Sequence, residues 1–537
     1  MPQAARLVRC DVPAFPHTTQ SSVARWSNFH GTIRDRAIPL LVVPDSPGVI
    51  DPGAPQKLRR SGEALSAIVT YAIQQKKTLR VAGSRWSMSN IIEPGAILLD
   101  SAYLNEILRV RSAWLSTSYL QTRSPLGFVP IFAQGGTTIH DLNKALAGIG
   151  LALQTSGAAD GQRIAGAIAT GTHGSAIDFG AMHDAILGVH LVVAGNKALF
   201  VMPQTNSAMT ADVADWLEEE TGIPTETVRD DDVFAAAQVS LGSLGVVHGV
   251  VIEAEPLYGL RRQVIPFSFT DERLRQAIET LDTIPLHPHR PKRPLHFEVV
   301  LSPYPPAGGG AFVVLMWKED AIPPAVAPPP RDPELSVELF DFLGALAGVI
   351  NDPVGGAALE WLVNTLLSSR YGAGDNEPRF PGEVFGPTTL PPGNGTSTEI
   401  AVPHEYSFAA FNAIYGAIAA EAAEGRHHLG AFGVRFAPRG TGALLGMNQS
   451  AMTTYIEMGS IQTVEAMGIF DRCWSALDLA QIPFACHWGQ QGGHTPARVR
   501  RYFGSGANKW RAVRNAMLTP GARDVFASKI LATAALE

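Results

Sequence analysis

Between Leu151 and Ser175 the chain reads LALQTSGAADGQRIAGAIATGTHGS, a segment almost free of bulky side chains. Gly157, Gly161, Gly166, Gly171 and Gly174 carry no Cβ, so the backbone can take positive φ and present successive N–H groups to an anion. A phosphate or pyrophosphate is the natural guest. The same composition suits a Gly/Ala-rich turn between two buried elements, and one glycine fingerprint does not separate the two readings.

The rest of the chain narrows the choice. A length of 537 residues points to two domains, and 46% hydrophobic against 17% charged residues is a globular composition. The net charge of −7, with no long basic run, argues against a nucleic-acid partner and for a small molecule. The N-terminus, MPQAARLVRCDVPAFPHTTQ, has Asp11 and Pro13 where a secretory signal needs an apolar run, and it is read as uncleaved. No window reaches the roughly 18 uncharged apolar residues of a membrane span. Cys10, Cys473 and Cys486 are far apart, which argues against a disulfide framework and a zinc site. A reducing cytoplasm is the expected compartment, no metal is expected, and the chain is expected to be a monomer or a homo-oligomer.

A strand is expected at 38–43, and a helix follows with Ser61 as its N-cap and apolar residues from Leu65 to Ile73 at helical spacing. A short strand at 78–82 then runs into GSRWSMS at 83–89, a second anion cradle. Strands are expected at 97–100, 107–110 and 130–133, with a polar insertion over 111–129. Thr138 is placed to cap a helix from Ile139, and Gly195-Asn196 to turn a hairpin between 186–193 and 197–201. SLGSLGVVHGVVIEAE, 240–255, is a third glycine-punctuated stretch entering a buried strand. Beyond Pro256 come paired strands at 295–301 and 311–317, helices at 334–350 and 357–367, and a strand at 398–402. A helix over 408–423, strands at 433–437 and 453–458, and a helix over 461–479 complete the pattern of an antiparallel sheet covered by helices.

Three glycine stretches in this order resemble the FAD-binding domain of the vanillyl-alcohol oxidase / p-cresol methylhydroxylase (PCMH) superfamily, within it most nearly the alditol, gulonolactone and arabinonolactone oxidase branch. WSNFHG at 26–31, EIAVP at 399–403, GVRFAP at 433–438 and HWG at 487–489 extend the resemblance over most of the chain. It implies an α+β fold of two domains: an N-terminal extension 1–25, a PCMH-type FAD-binding domain 26–258, a substrate domain 259–485 with an insertion at about 320–395, and a segment 486–537 returning to the first domain. It implies FAD as cofactor. Ala82, Gly83, Ser84, Arg85, Trp86, Ser87 and Ser89 would belong to the first loop around it. Gly161, Ala165, Gly166, Ala167, Gly171, Thr172, His173, Gly174 and Ser175 would belong to the second, Gly245 and Val250 to the adenine side. His173 has a second reading, an imidazole that only packs the loop.

Three departures matter. Many relatives carry a histidine in the first loop that bonds covalently to the flavin; here the position is Trp86, so FAD is expected without a histidyl link. Relatives with Glu-x-Arg near the flavin correspond to Gly433-Val434-Arg435, which keeps the cation and loses the carboxylate, and Gln490 replaces a lysine after HWG. The resemblance makes Arg435, His487 and Gln490 the catalytic candidates: Arg435 to support negative charge, His487 to contact the cofactor and to position or deprotonate substrate. Glu399, His404, Glu405, Tyr406 and Glu457 are reserve candidates for a base. The apolar segments LSVELFDFLGALAGVI and ALEWLVNTLL form extra core, an oligomer contact, or a route for a substrate less polar than a sugar alcohol.

The expectation is an FAD-dependent oxidoreductase that removes a hydride from a CH–OH or CH–NH group of a small molecule and delivers the electrons to O2 or another acceptor. The alternative on the same fold is a redox-neutral lyase or isomerase, or a protein that only binds flavin or another ligand.

Overall fold

The computed structural model describes residues 14–44, 54–157, 159–320, 353–371, 373–375, 377–385 and 395–537. Three sheets carry the chain. In the first, the order is Thr18–Trp26, Arg36–Pro44, Ile97–Asp100, Leu79–Ala82, with an antiparallel outer pair and parallel inner pairs. Residues 18–25, set apart from the sequence as an extension, are therefore the edge strand of this sheet. The second runs Thr225–Arg229, Lys197–Met202, Ile186–Ala194, Val246–Pro256, Val129–Gln134, Ile107–Arg109, and the expected hairpin closes with Ala194 opposite Lys197.

Helix Ala54–Gln74 lays Leu65, Ile68, Val69 and Ala72 into the core of these two sheets. Ser61 is not its N-cap. The helix starts earlier, with Pro55 in the first turn, where a missing N–H costs nothing. The buried Ser61 hydroxyl instead donates to Leu58 O and meets His248 Nε2 at 3.1 Å. Thr138 does cap helix Ile139–Gly148, accepting from Asp141 N at 3.0 Å.

The third sheet has eight antiparallel strands, beginning in sequence at Gly259–Ser268 and including His296–Leu301, Gly310–Glu319, Gly395–Pro403, Gly430–Pro438 and Met452–Ile461. Strand Gly310–Glu319 shows why it is covered on both faces. Ala311, Val313, Leu315 and Trp317 point into one core, under helices Ser407–Ala423 and Val464–Leu479, while Phe312, Val314 and Met316 point into another. Period-two alternation thus divides one apolar run between two layers.

Helix Pro353–Arg370 closes the second layer through Val363 and Leu367, while Trp361 on its other face is 67% exposed. Its expected partner at 334–350, and Cys10, lie outside the described residues. The C-terminal helix Ser505–Met517 returns to the first core, where Trp510 is fully buried and donates to Val239 O at 3.1 Å. Among the described residues no helix is long and apolar enough to cross a membrane.

Candidate active site

One cleft joins the first two glycine stretches to the face of the third sheet. Its lining includes Gly83 to Met88, Gln162, Arg163, Gly166, Ala167, Thr170, Thr172 and His173, and, from the other direction, Glu399, Arg435, Glu457, His487, Gly489 and Gln490. The second stretch is tied down at its end. Phe297 N donates to Ser175 O at 3.1 Å, Phe436 N to Ser175 Oγ at 2.9 Å, and Ser175 Oγ to Phe297 O. Ser175 is thus the joint between the two halves rather than a cleft residue.

The glycine side has the character of an anion cradle. Arg85 sits at φ 62°, a left-handed conformation that turns the loop's N–H groups. Among the described residues, the N–H groups of Ser84, Arg85, Trp86 and Ser87 have no backbone acceptor. A Cβ added at Gly166, which lines the cleft, would meet nothing within 4 Å, so the cradle is open there. Three cations line the cleft with it, Arg80, Arg85 and Arg163, whereas the described acidic lining residues are Glu399 and Glu457, on the sheet. Arg163 is itself held by Asp100, Nη1 to Oδ1 at 2.8 Å. These residues fit a dinucleotide with a charged pyrophosphate.

Trp86 takes a defined place. Its ring stacks on Phe29 with centroids 4.6 Å apart, His30 meets it edge-on, and a Cβ at Gly161 would come within 2.7 Å of it. Gly161 therefore serves the indole. Phe29 and His30 come from the WSNFHG segment; His30 lines the cleft, and burial pulls its imidazole down to about 4 although Glu457 opposes.

On the sheet side, register assembles the charges. Glu399 pairs with Glu457, Glu457 with Gly433, and Glu298 with Arg435, so residues from four strands converge. Arg435 Nε donates to Glu298 at 2.9 Å, and its Nη1 donates to Glu457 at 2.6 Å and to Glu399 at 3.2 Å. Gly433 leaves the room: a Cβ there would stand 3.2 Å from the guanidinium. The carboxylate missing at 433 is thus not missing from Arg435, which is surrounded by three.

Burial would raise the Glu399 carboxyl, but His173, His487 and Arg435 hold it at about 2; burial would likewise raise Glu298, but Arg435 and His296 hold it at about 2. For Arg435 burial works downward and the carboxylates win, placing it well above its ordinary value. His173 faces two acceptors, Glu399 Oε1 at 2.7 Å and Gly174 O at 2.9 Å, and stacks on Tyr455 with centroids 3.5 Å apart.

His487 and Gln490 are brought to the same place. His487 Nδ1 accepts from Gly489 N at 3.0 Å, so in the neutral ring Nε2 carries the proton and is a donor. Burial lowers its pKa to about 4 despite Glu399, so the ring is neutral at neutral pH. Gln490 Nε2 lies 3.3 Å from Glu457 Oε1, and Ser397 Oγ lies 2.9 Å from the same oxygen. Glu457 keeps 24% of its side chain exposed against 2% for Glu399.

Several expectations change. Val250 is fully buried between two strands, and neither it nor Gly245 lines the cleft; Leu241 and Gly242, at φ 53° and 61°, do. Ala82, Ala165, Gly171 and Gly174 lie behind the lining residues, and Ser89 donates to Trp488 O at 2.6 Å. His404 is bound to Thr454 and Glu279 O, and it, Glu405 and Tyr406 lie outside the cleft.

A family model described as FAD binding domain matches residues 59–199. L-gulono-1,4-lactone dehydrogenase of Mycobacterium tuberculosis is 27% identical over 250 residues, 46% of each chain. D-arabinono-1,4-lactone oxidase of Yarrowia lipolytica is 30% identical over 38% of this chain and 33% of its own. The chain thus spans less than half the length of these curated relatives. A solved cholesterol oxidase of Brevibacterium sterolicum superposes over 99% of this chain and all of its own with a TM-score of 0.67 at 14% identity, a likeness of fold. Residues 59–199 thus carry an FAD binding domain, in a chain that is similar over part of its length to a gulonolactone dehydrogenase and an arabinonolactone oxidase and similar in fold to a cholesterol oxidase.

Proposed function

We propose that the protein is an FAD-dependent oxidoreductase acting on a CH–OH group of a small molecule, with O2 or another acceptor as electron sink. The observation that carries this reading is the single cleft in which a dinucleotide cradle opens onto Glu457, Arg435, His487 and Gln490. Bound FAD would supply the hydride acceptor and the route for electrons. The protein's part is to bind, orient and move one proton. Glu457 is the partly exposed carboxylate of the cluster and takes the hydroxyl proton; His487 donates from Nε2 to an oxygen; Arg435 holds Glu457 by Oε2, and Ser397 and Gln490 meet its Oε1. Residues 26–258 with 486–537 are read as the cofactor half, joined by the edge strand Thr18–Trp26, and 259–485 as the substrate half.

The lactones of the curated relatives' names and the cholesterol of the structural neighbour's mark the range of substrates worth testing. The charged, hydrogen-bonding wall favours a hydroxylated ligand, and helix Pro353–Arg370, once a candidate apolar route, contributes no described residue to the cleft. A cytoplasmic location fits the buried free thiols Cys473 and Cys486.

Anaerobic mixing with a panel of alcohols, sugars, lactones and sterols is the test. The yellow absorbance of the holoprotein should bleach with at least one of them. A flavin that stays oxidised with every turned-over ligand would favour the redox-neutral alternative.

FAD attachment at position 86 is read as non-covalent, because an indole stacked between Phe29 and Gly161 offers no nucleophilic nitrogen to the flavin. Acid precipitation should leave all flavin in the supernatant. Flavin retained in the pellet would refute the assignment.

A further inference from the structure

Arg80 stands on strand Leu79–Ala82, directly before the first glycine loop, and lines the cleft although only 6% of it is exposed. Its hydrogen bonds all go to neutral carbonyls: Nη1 to Gly242 O at 3.1 Å, Nη2 to Ile91 O at 2.7 Å and to Leu241 O at 3.3 Å. Its Nε is buried and has no partner. The charged group acting on it is a second cation, Arg514, which donates to Ser243 O at 3.1 Å from the C-terminal helix. Two guanidiniums thus hold one loop by three consecutive carbonyls, and among the described residues neither has a carboxylate within salt-bridge distance.

A buried cation beside another cation is costly unless an anion neutralises it. Burial first, and Arg514 second, pull Arg80 down to about 10. Contrast Arg163, on the same cleft, which has Asp100 as its counter-ion at 2.8 Å. The same loop, Leu241-Gly242, forms cleft wall beside Arg80, with both residues at positive φ.

We propose that Arg80 is the cationic contact for a phosphate of the bound dinucleotide, and that the phosphate is the counter-ion the protein does not itself provide. This rests on FAD binding at the cleft. It makes Arg80 a residue that discriminates phosphorylated from unphosphorylated flavin, since the flavin ring alone carries no charge for it.

Flavin-free protein should be titrated with FAD and with riboflavin, following flavin fluorescence, in wild type and in Arg80→Met. The variant should lose about 10- to 100-fold in FAD affinity, the range for a charged hydrogen bond, with riboflavin affinity unchanged. Equal losses for both ligands, or none for FAD, would overturn the proposal, because a purely structural role acts on both alike. Should Arg80→Met fail to fold, Arg80→Gln, which can still donate to the Ile91 and Leu241 carbonyls, is titrated in the same way: a loss confined to FAD supports the proposal, and an equal loss for both flavins or none for FAD overturns it. Wild type that binds neither FAD nor riboflavin would bring down the flavin reading itself, and this proposal with it.

Discussion

Replacing Glu457 by Gln is expected to lower kcat by roughly 100- to 10,000-fold, the usual contribution of a positioned general base, while FAD absorbance is retained. Gln keeps the length of the side chain, and with its amide oxygen accepting from Arg435 its NH2 can donate to the Ser397 hydroxyl oxygen, so the fold should hold. Arg435 would also keep two of its three carboxylates, Glu298 and Glu399. The discriminating measurement is the split between the constants: kcat should fall with KM little changed. Unchanged turnover would reduce Glu457 to a partner of Arg435 and return the question of the base to the other lining groups.

Arg435→Met is expected to be the most destabilising single change in the cleft. Removing the cation leaves Glu298 and Glu399 buried without it, and breaking a buried ion pair from one side costs about 3–5 kcal/mol. The sign of the pH response should change as well. In wild type Glu298 and Glu399 titrate at about 2, below their ordinary 4.5. Their depressed values contribute stability that is present above pH 4.5 and lost as pH falls towards 2. Without Arg435, Glu298 loses the largest interaction that holds it down and burial raises it, while Glu399 keeps His173 and His487, so protonating Glu298 should no longer harm the folded state. The stability difference between wild type and variant should therefore narrow steadily from pH 5 to pH 3 in chemical denaturation. A constant difference would mean that Arg435 stabilises by packing alone.

These two predictions concern residues of unequal visibility in the sequence. Arg435 was legible through GVRFAP, a motif with a known kind of neighbour. Glu457 lay in YIEM, an ordinary strand with no local mark of chemistry, and it entered only as one of five reserve carboxylates, imidazoles and phenols. Glu298 and His30 were not singled out at all, although His30 lies inside a segment already noted as a match. Arg80 was hidden differently. An arginine on a short strand reads as a surface charge, and nothing in TLRVA announces that its neighbours will be carbonyls and another arginine.

The glycine stretches, by contrast, could be read without a fold, because freedom at φ and a bare N–H are properties of single residues and their immediate neighbours. Helix caps such as Thr138 and hairpins such as Gly195-Asn196 are local in the same sense. The charged wall is not. Glu399 and Glu457 face Arg435 because three strands pair in one particular register, and a slip of one residue would turn each side chain to the opposite face of the sheet. The change at Gly433 that looked like the loss of a carboxylate is, in the folded chain, the space in which Arg435 gathers three of them. Cradle chemistry was written along the chain; the chemistry opposite it exists only across strands, where distance in sequence has no bearing on distance in space.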